Sequence, residues 1–189
     1  MRVIAGSAGG IQLEAPKRGI RPTMDRVKAA IFSSLGDKVI GARVLDLFAG
    51  SGALGIESLS RGAATVLFVD HQRQAIDAID RNLRKTKLEG KALQQDAFEF
   101  LKRRSGSLGT FDLIFADPPY EQTEAGEHFT EKLLDDESLR ELLAADGLFV
   151  LEKRPGERVA KLSSWNLVRQ KTYGATEVLF LGGRPNSIP

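Results

Sequence analysis

Asp117-Pro118-Pro119-Tyr120 places a carboxylate, a stiff backbone and an aromatic ring directly after the apolar run Phe111 to Ala116. Proline has no N–H and cannot extend a β ladder, so the pair fixes the directions of Asp117, the Pro118 carbonyl and Tyr120. Such a set suits a planar group bearing an NH2. Asp117 and the Pro118 carbonyl can each accept one N–H, and Tyr120 can stack on the ring. Those bonds draw the nitrogen lone pair out of conjugation and aim it at an electrophile, so that orientation supplies much of the rate. Asp117 would also stabilise the positive charge developing on nitrogen. The chemistry therefore asks for a cofactor that carries an electrophile.

A second set of residues offers a place for one. Val44, Leu45, Leu47 and Phe48, interrupted by Asp46, read as a buried parallel strand. Gly50, Gly52 and Gly55 follow in G-x-G-x-x-G spacing, and an apolar helical stripe follows them. Glycines at such a turn let the backbone approach a nucleotide-like ligand that a Cβ would obstruct. The spacing alone is a weak signal. Asp70 strengthens it, because it ends a second apolar run, Val66 to Val69, where a ribose hydroxyl needs an acceptor. Asp96 ends a third, weaker run, Ala92 to Gln95.

These residues need a scaffold that gathers strand ends. The apolar runs alternate with helical stretches at Thr23–Leu35, Leu54–Ser60, Ala75–Leu88, Phe98–Arg104 and around Leu133–Leu143. Such alternation predicts a Rossmann-like, doubly wound α/β fold with a seven-stranded, mainly parallel sheet. Gly147–Glu152 adds a buried strand, and Trp165–Thr172 with Glu177–Leu181 should form an antiparallel C-terminal hairpin. Arg2–Ala5 and Ile11–Ala15, around a glycine-rich turn, suggest a small N-terminal β-hairpin. Thr23 is the expected N-cap of the first helix. Residues 1–36 thus read as a hairpin and basic helix extension packed on a core of residues 37–189, all one structural domain. Ligands in such sheets bind outside the carboxyl ends of the strands, where Asp70, Asp96, Asp117 and the glycine turn all fall.

Composition narrows the choices. The chain has 189 residues, no cysteine and two histidines, which removes thiolate catalysis and leaves little basis for a zinc site or a Ser-His-Asp triad, so no metal is expected. No apolar run spans a bilayer, no export signal is evident, and a cytoplasmic location is the expectation. The net charge is +2 overall, yet residues 1–44 carry 8 Lys+Arg against 3 Asp+Glu. That asymmetry suggests a polyanionic partner for the N-terminal region.

The run Asp46-Leu47-Phe48-Ala49-Gly50-Ser51-Gly52 resembles motif I of the class I S-adenosylmethionine-dependent methyltransferases, and Asp117-Pro118-Pro119-Tyr120 resembles the D-P-P-Y motif of their amino-methylating branch. Arg21-Pro22-Thr23-x-Asp25-Arg26-Val27, FAGSGALGIESLSRGA and Tyr173-Gly174 are similar to the RsmD-type family, over nearly the whole chain. The resemblance implies methylation of the exocyclic N2 of a guanine in small-subunit ribosomal RNA, free or in an assembling subunit; a monomer is the expectation. It implies that the motif I residues Asp46, Phe48, Ala49, Gly50, Ser51 and Gly52 bind S-adenosylmethionine. Asp70 would hold the ribose, and Asp96 with Ala97 would meet the adenine. Asp117, Pro118, Pro119 and Tyr120 would act on the amine. Where the family carries further basic residues, this chain has Ser7 to Gln12, so Lys17, Arg18, Arg21, Thr23, Arg26 and Lys28 are the candidate RNA contacts. The D-P-P-Y chemistry alone also serves adenine N6 or a protein glutamine. A nicotinamide dehydrogenase would leave Asp117 to Tyr120 without a role, and a catalytically silent RNA-binding assembly factor is the remaining reading.

Overall fold

Runs of Val, Leu, Ile and Phe short enough to be strands pair into a single sheet in the computed structural model, which describes residues 1–14, 22–104, 109–119, 128–157, 159, 162 and 164–183. The strands are β1 (Arg43–Leu47), β2 (Thr65–Asp70), β3 (Lys91–Gln94), β4 (Phe111–Ala116), β5 (Leu143–Lys153), β6 (Trp165–Tyr173) and β7 (Thr176–Gly183). Their order is β3-β2-β1-β4-β5-β7-β6. The first five are parallel, and β7 runs antiparallel between β5 and β6. The order reverses between β1 and β4, which opens a crevice at their carboxyl ends. The seven-stranded sheet and its C-terminal hairpin agree with the alternation read from the sequence.

Helices cover both faces. One face carries α1 (Pro22–Leu35), α2 (Ala53–Ser60) and α3 (Arg73–Thr86); the other carries α4 (Ala97–Arg104), α5 (Phe129–Asp135) and α6 (Glu137–Leu142). In the first layer Val27, Ile31, Phe32, Ile56 and Ile79 meet Val44, Phe115, Val150 and Phe180. In the second, Phe100, Leu101, Leu133 and Leu142 meet Leu45, Ile114, Phe149 and Leu179. The single helix expected around Leu133–Leu143 is two, because Asp136 leaves helical geometry and caps α6 by accepting the Leu139 N–H at 3.0 Å.

Helix α1 begins at Pro22, so Thr23 lies inside its first turn rather than capping it. Its C-terminal end leads through the 3-10 turn Gly36–Val39 into the start of β1, while Phe32 lies 5.8 Å from Phe115 between ring centres. The helix therefore runs opposite to β1, and its first turn lies toward the carboxyl ends of the strands.

The expected N-terminal hairpin is present in short form: Arg2 and Gln12 make an antiparallel bridge, and the N–H groups of Val3, Gly10 and Leu13 donate to the carbonyls of Ile11, Val3 and Met1, each at 2.9 Å. Helix contacts anchor it as well. Glu57 of α2 accepts the Ile4 and Ala5 N–H groups at 2.7 and 3.1 Å, and the Ser60 hydroxyl donates to the Ala5 carbonyl at 2.6 Å. Gly6 fits only as glycine, since a Cβ there would lie 1.8 Å from the Ser60 carbonyl oxygen.

Candidate active site

At the tip of β1 the chain leaves the sheet through two unusual conformations, Phe48 with φ 56° and Gly50 with φ 55°, before Gly52 turns it into α2 at φ 76°. A Cβ on Gly50 would meet nothing closer than 4.0 Å, so the turn presents open backbone. Gly55 has the opposite reason for being glycine: a Cβ would lie 2.2 Å from Phe68, because α2 sits directly on β2.

Two carboxylates hold this turn. Asp70, at the end of β2, accepts the Gly50 N–H at 2.8 Å through one oxygen and the Gln72 N–H at 2.8 Å through the other. A carboxylate has about four acceptor sites, so Asp70 keeps capacity for hydroxyl groups. Asp46 is 2 % exposed and accepts the Gly55 N–H at 2.9 Å, satisfying a first-turn donor of α2 from outside the helix. Burial pushes the Asp46 carboxyl up to about 8, against the lowering effect of that hydrogen bond and with added repulsion from Asp117 and Asp70.

Asn82 of α3 completes the support, a residue that no motif or spacing marks. Fully buried, its amide donates to the Glu14 carbonyl at 2.9 Å and the Ser51 carbonyl at 3.0 Å, and its oxygen accepts the Glu14 N–H at 2.8 Å. It ties the N-terminal segment to the glycine turn.

Asp117 follows β4 on the same face of the sheet as Asp46. Side chains alternate along a strand, and Val44 and Phe115 both point into the layer under α1 to α3. Asp117 is half-buried and Pro118 is buried. Burial raises the Asp117 carboxyl to about 6. Glu152, near the end of β5, shares that face with Val150, and burial together with Asp117 and Asp46 raises its carboxyl well above the ordinary range. Three carboxyl groups thus line one edge, with Asp117 opposing ionisation of both Asp46 and Glu152.

Asp96 stands at the start of α4, exposed, with one oxygen accepting the Phe98 and Glu99 N–H groups at 2.9 and 3.1 Å; it is the helix N-cap. Ala97 behind it is buried. Phe48, Phe98 and Phe129 form an aromatic cluster with ring centres 5.7 to 6.1 Å apart. Tyr120, Lys17, Arg18 and Arg21 lie outside the described residues, as does the side chain of Thr23. Arg26 is exposed on α1.

Lys28 corrects the expectation that it presents charge to RNA. It is 3 % exposed, its ammonium lies 3.0 Å from Glu57, and it donates to the Arg2 carbonyl at 2.6 Å. Burial lowers its pKa despite the attraction of Glu57. Arg61 joins the same carboxylate at 2.7 Å. No group of side chains suited to a metal ion occurs among the described residues, and no described helix is long and apolar enough to cross a membrane.

Comparison with known proteins adds three findings. Residues 1–182 match the sequence model of the family described as Conserved hypothetical protein 95. A putative rRNA methyltransferase, YlbH of Bacillus subtilis, is 39% identical over 94% of this chain and 96% of its own, and the Escherichia coli Ribosomal RNA small subunit methyltransferase D is 33% identical over 92% and 85%. The solved structure of the putative methyltransferase yhhF from Escherichia coli superposes with a TM-score of 0.78 at 31% identity, covering 97% of this chain and 98% of its own.

Proposed function

This chain belongs to the RsmD-type methyltransferase family, described as Conserved hypothetical protein 95, and we propose that it methylates the exocyclic N2 of a guanine in small-subunit ribosomal RNA with S-adenosylmethionine as donor. The observation that carries the reading is the convergence on one crevice of the open glycine turn, Asp70 and Asp117-Pro118-Pro119. The names of the relatives support the RNA substrate.

The crevice fits the cofactor. Gly50 leaves room for a ligand against the backbone, and Asp70 stands beside it with unused acceptor sites. The motif I residues Asp46, Phe48, Ala49, Gly50, Ser51 and Gly52 would shape the cradle, Asp46 and Ser51 through backbone positioning. Asp96, Ala97 and the aromatic cluster would border the adenine. When bound, S-adenosylmethionine supplies an electrophilic methyl group.

Asp117 and the Pro118 carbonyl would each accept one amine hydrogen, turning the lone pair out of the ring plane, with Tyr120 against the base. Burial raises the Asp117 carboxyl to about 6, close enough to neutrality for it to exchange a proton. It therefore accepts the N–H in the ground state and can take the proton as positive charge develops. A paired base would have to flip out to reach this depth. Arg26, exposed on the helix whose first turn faces the crevice, would meet phosphate, and Arg21, Lys17 and Arg18 would extend that basic rim.

Transfer of labelled methyl from S-adenosylmethionine to small-subunit rRNA, offered naked and in partly assembled subunits, tests the proposal through nucleoside analysis of the product. N2-methylguanosine at one position is the expected result. Label in N6-methyladenosine, DNA or protein would overturn the substrate. Cofactor binding without transfer would support a silent assembly factor.

A further inference from the structure

The sheet register assembles a group of side chains that amine methylation leaves unused. Ala116 of β4 pairs with Leu151 of β5, so the next residues, Asp117 and Glu152, lie side by side on adjacent strands. Glu152 in turn pairs with Val178 of β7, which pairs with Lys171 of β6; Tyr173 lies two residues further along β6, toward the crevice. Asp117, Glu152 and Tyr173 all share the face that Phe115, Val150 and Val178 mark. Neighbouring strands are about 4.8 Å apart, so Asp117 and Glu152 can address adjacent atoms of one small ring. The Tyr173 hydroxyl is buried and has no hydrogen-bond partner among the described residues. Such a group ordinarily has a partner, which suggests that one arrives with a ligand.

We propose that Glu152 and Tyr173 read the base whose amine Asp117 holds, Glu152 pairing with the ring N1–H and O6 of guanine and the Tyr173 hydroxyl donating to the second lone pair of O6. The Watson–Crick edge of guanine runs N2, N1, O6, as donor, donor, acceptor. Across the sheet Asp117 follows β4, Glu152 lies on β5 and Tyr173 lies on β6 beyond β7, which is the same order, and the long tyrosine side chain has to reach back over β7. A neutral carboxyl complements the cis N1–H and C6=O pair: its carbonyl accepts from N1, and its hydroxyl donates to O6. Burial beside Asp117 and Asp46 raises the Glu152 carboxyl well above the ordinary range, which favours that neutral form. Adenine with its amine at Asp117 would present an unprotonated N1 and a C2–H instead, leaving the Glu152 carbonyl and the Tyr173 hydroxyl unpaired. This inference rests on the amine-methylation reading and deepens it to base selection.

The test uses an assembling subunit whose rRNA carries, at the nucleotide found to be modified, either guanine or 2-aminopurine, which keeps the 2-amino group and lacks both N1–H and O6. The unaltered protein should favour guanine in kcat/KM by about 100-fold, since a site built for hydrogen bonds rejects an analogue lacking them. Glu152→Met should bring that ratio to within a few-fold, whereas Glu152→Gln, whose amide repeats the neutral acid's acceptor and donor, should keep it. Tyr173→Phe should lower the ratio by roughly 10-fold, the loss of one hydrogen bond to a buried acceptor. Affinity for S-adenosylmethionine should stay unchanged in all three. A merely structural role for Glu152 would slow both substrates equally and leave the ratio at its original value, which overturns the proposal. Loss of the ratio in Glu152→Gln overturns the neutral pairing, and an unchanged ratio in Tyr173→Phe removes Tyr173 from it. If the unaltered protein transfers nothing to guanine, the parent reading fails, and the base-reading proposal falls with it.

Discussion

Replacing Lys28 by Met separates a buried strut from an RNA contact, two roles that the same lysine could fill on sequence grounds. Its ammonium lies 3.0 Å from Glu57, and the two side chains are 4% and 0% exposed. Glu57 also receives Ile4 N–H, Ala5 N–H and the Arg61 guanidinium, so one carboxylate joins the N-terminal segment, α1 and α2. Removing one partner of a buried pair costs about 3–5 kcal/mol because the other charge stays behind. In Lys28→Met that charge retains Arg61 and two backbone donors, so the loss should fall to about 2–3 kcal/mol. Glu57→Leu leaves the buried ammonium with the Arg2 carbonyl and the weaker attraction of Asp25, and it orphans two amides, so it should reach the upper end of the range. At roughly 2–4 °C per kcal/mol for a chain of this size, Lys28→Met should lower Tm by about 6 °C and Glu57→Leu by about twice that. Calorimetry reads this directly, and RNA binding as a function of salt reads the other role. The reasoning fails if Lys28→Met melts within a degree of the unaltered protein while its log K against log salt slope drops by nearly one, the signature of a lost phosphate contact.

Other perturbations probe the crevice. Asp117→Asn should abolish most methyl transfer while leaving cofactor affinity within a few-fold, and Asp70→Ala should do the reverse by removing an acceptor and freeing Gly50; equilibrium binding beside single-turnover rates separates the two. For Asp46 the folded pKa is about 8 against an ordinary 3.8, so the native state holds a proton that the unfolded chain releases, and stability falls as pH rises from about 4 to 8. Asp46→Asn keeps an acceptor for Gly55 but cannot ionise; its Tm relative to the unaltered protein, without cofactor, should therefore climb from pH 5 to pH 9, and a constant difference would refute the raised pKa. Gly55→Ala should cost about 1–3 kcal/mol in denaturant unfolding, because its methyl must displace Phe68 and Val66 or lift α2 from the sheet.

The difference between what was legible in the sequence and what was not follows the reach of each interaction. Strand, glycine turn and helix from Arg43 to Ser60 are local: apolar runs and glycine positions state them within twenty residues. Asp70 and Asp96 were legible as ends of apolar runs, although their observed hydrogen bonds to Gly50, Gln72, Phe98 and Glu99 also give both a structural task. Lys28 was misread because its place on α1 is polar by pattern, and its partner lies 29 residues on in another helix, whose orientation only packing decides. Asn82 was invisible for the same reason: an asparagine in a charged helix carries no mark of the Glu14 and Ser51 backbone it bonds.

Glu152 carries the argument furthest. Its sequence neighbours, Leu151 and Lys153, are buried, and the run GLFVLEK reads as a strand ending in two ordinary charges. The two side chains point to opposite faces. Lys153 turns to the α4 side and pairs with Glu177 of β7, whereas Glu152 turns to the crevice beside Asp117. Period-two alternation was available from sequence, but the register of β5 against β4 was not, and a slip of one residue would exchange the two side chains. Pairing of Ala116 with Leu151 decides that the carboxyl, and not the ammonium, borders the amine site. A lysine there would repel the positive charge that develops on the attacking nitrogen. The register that closes the sheet is therefore also what gives the crevice its acidic wall.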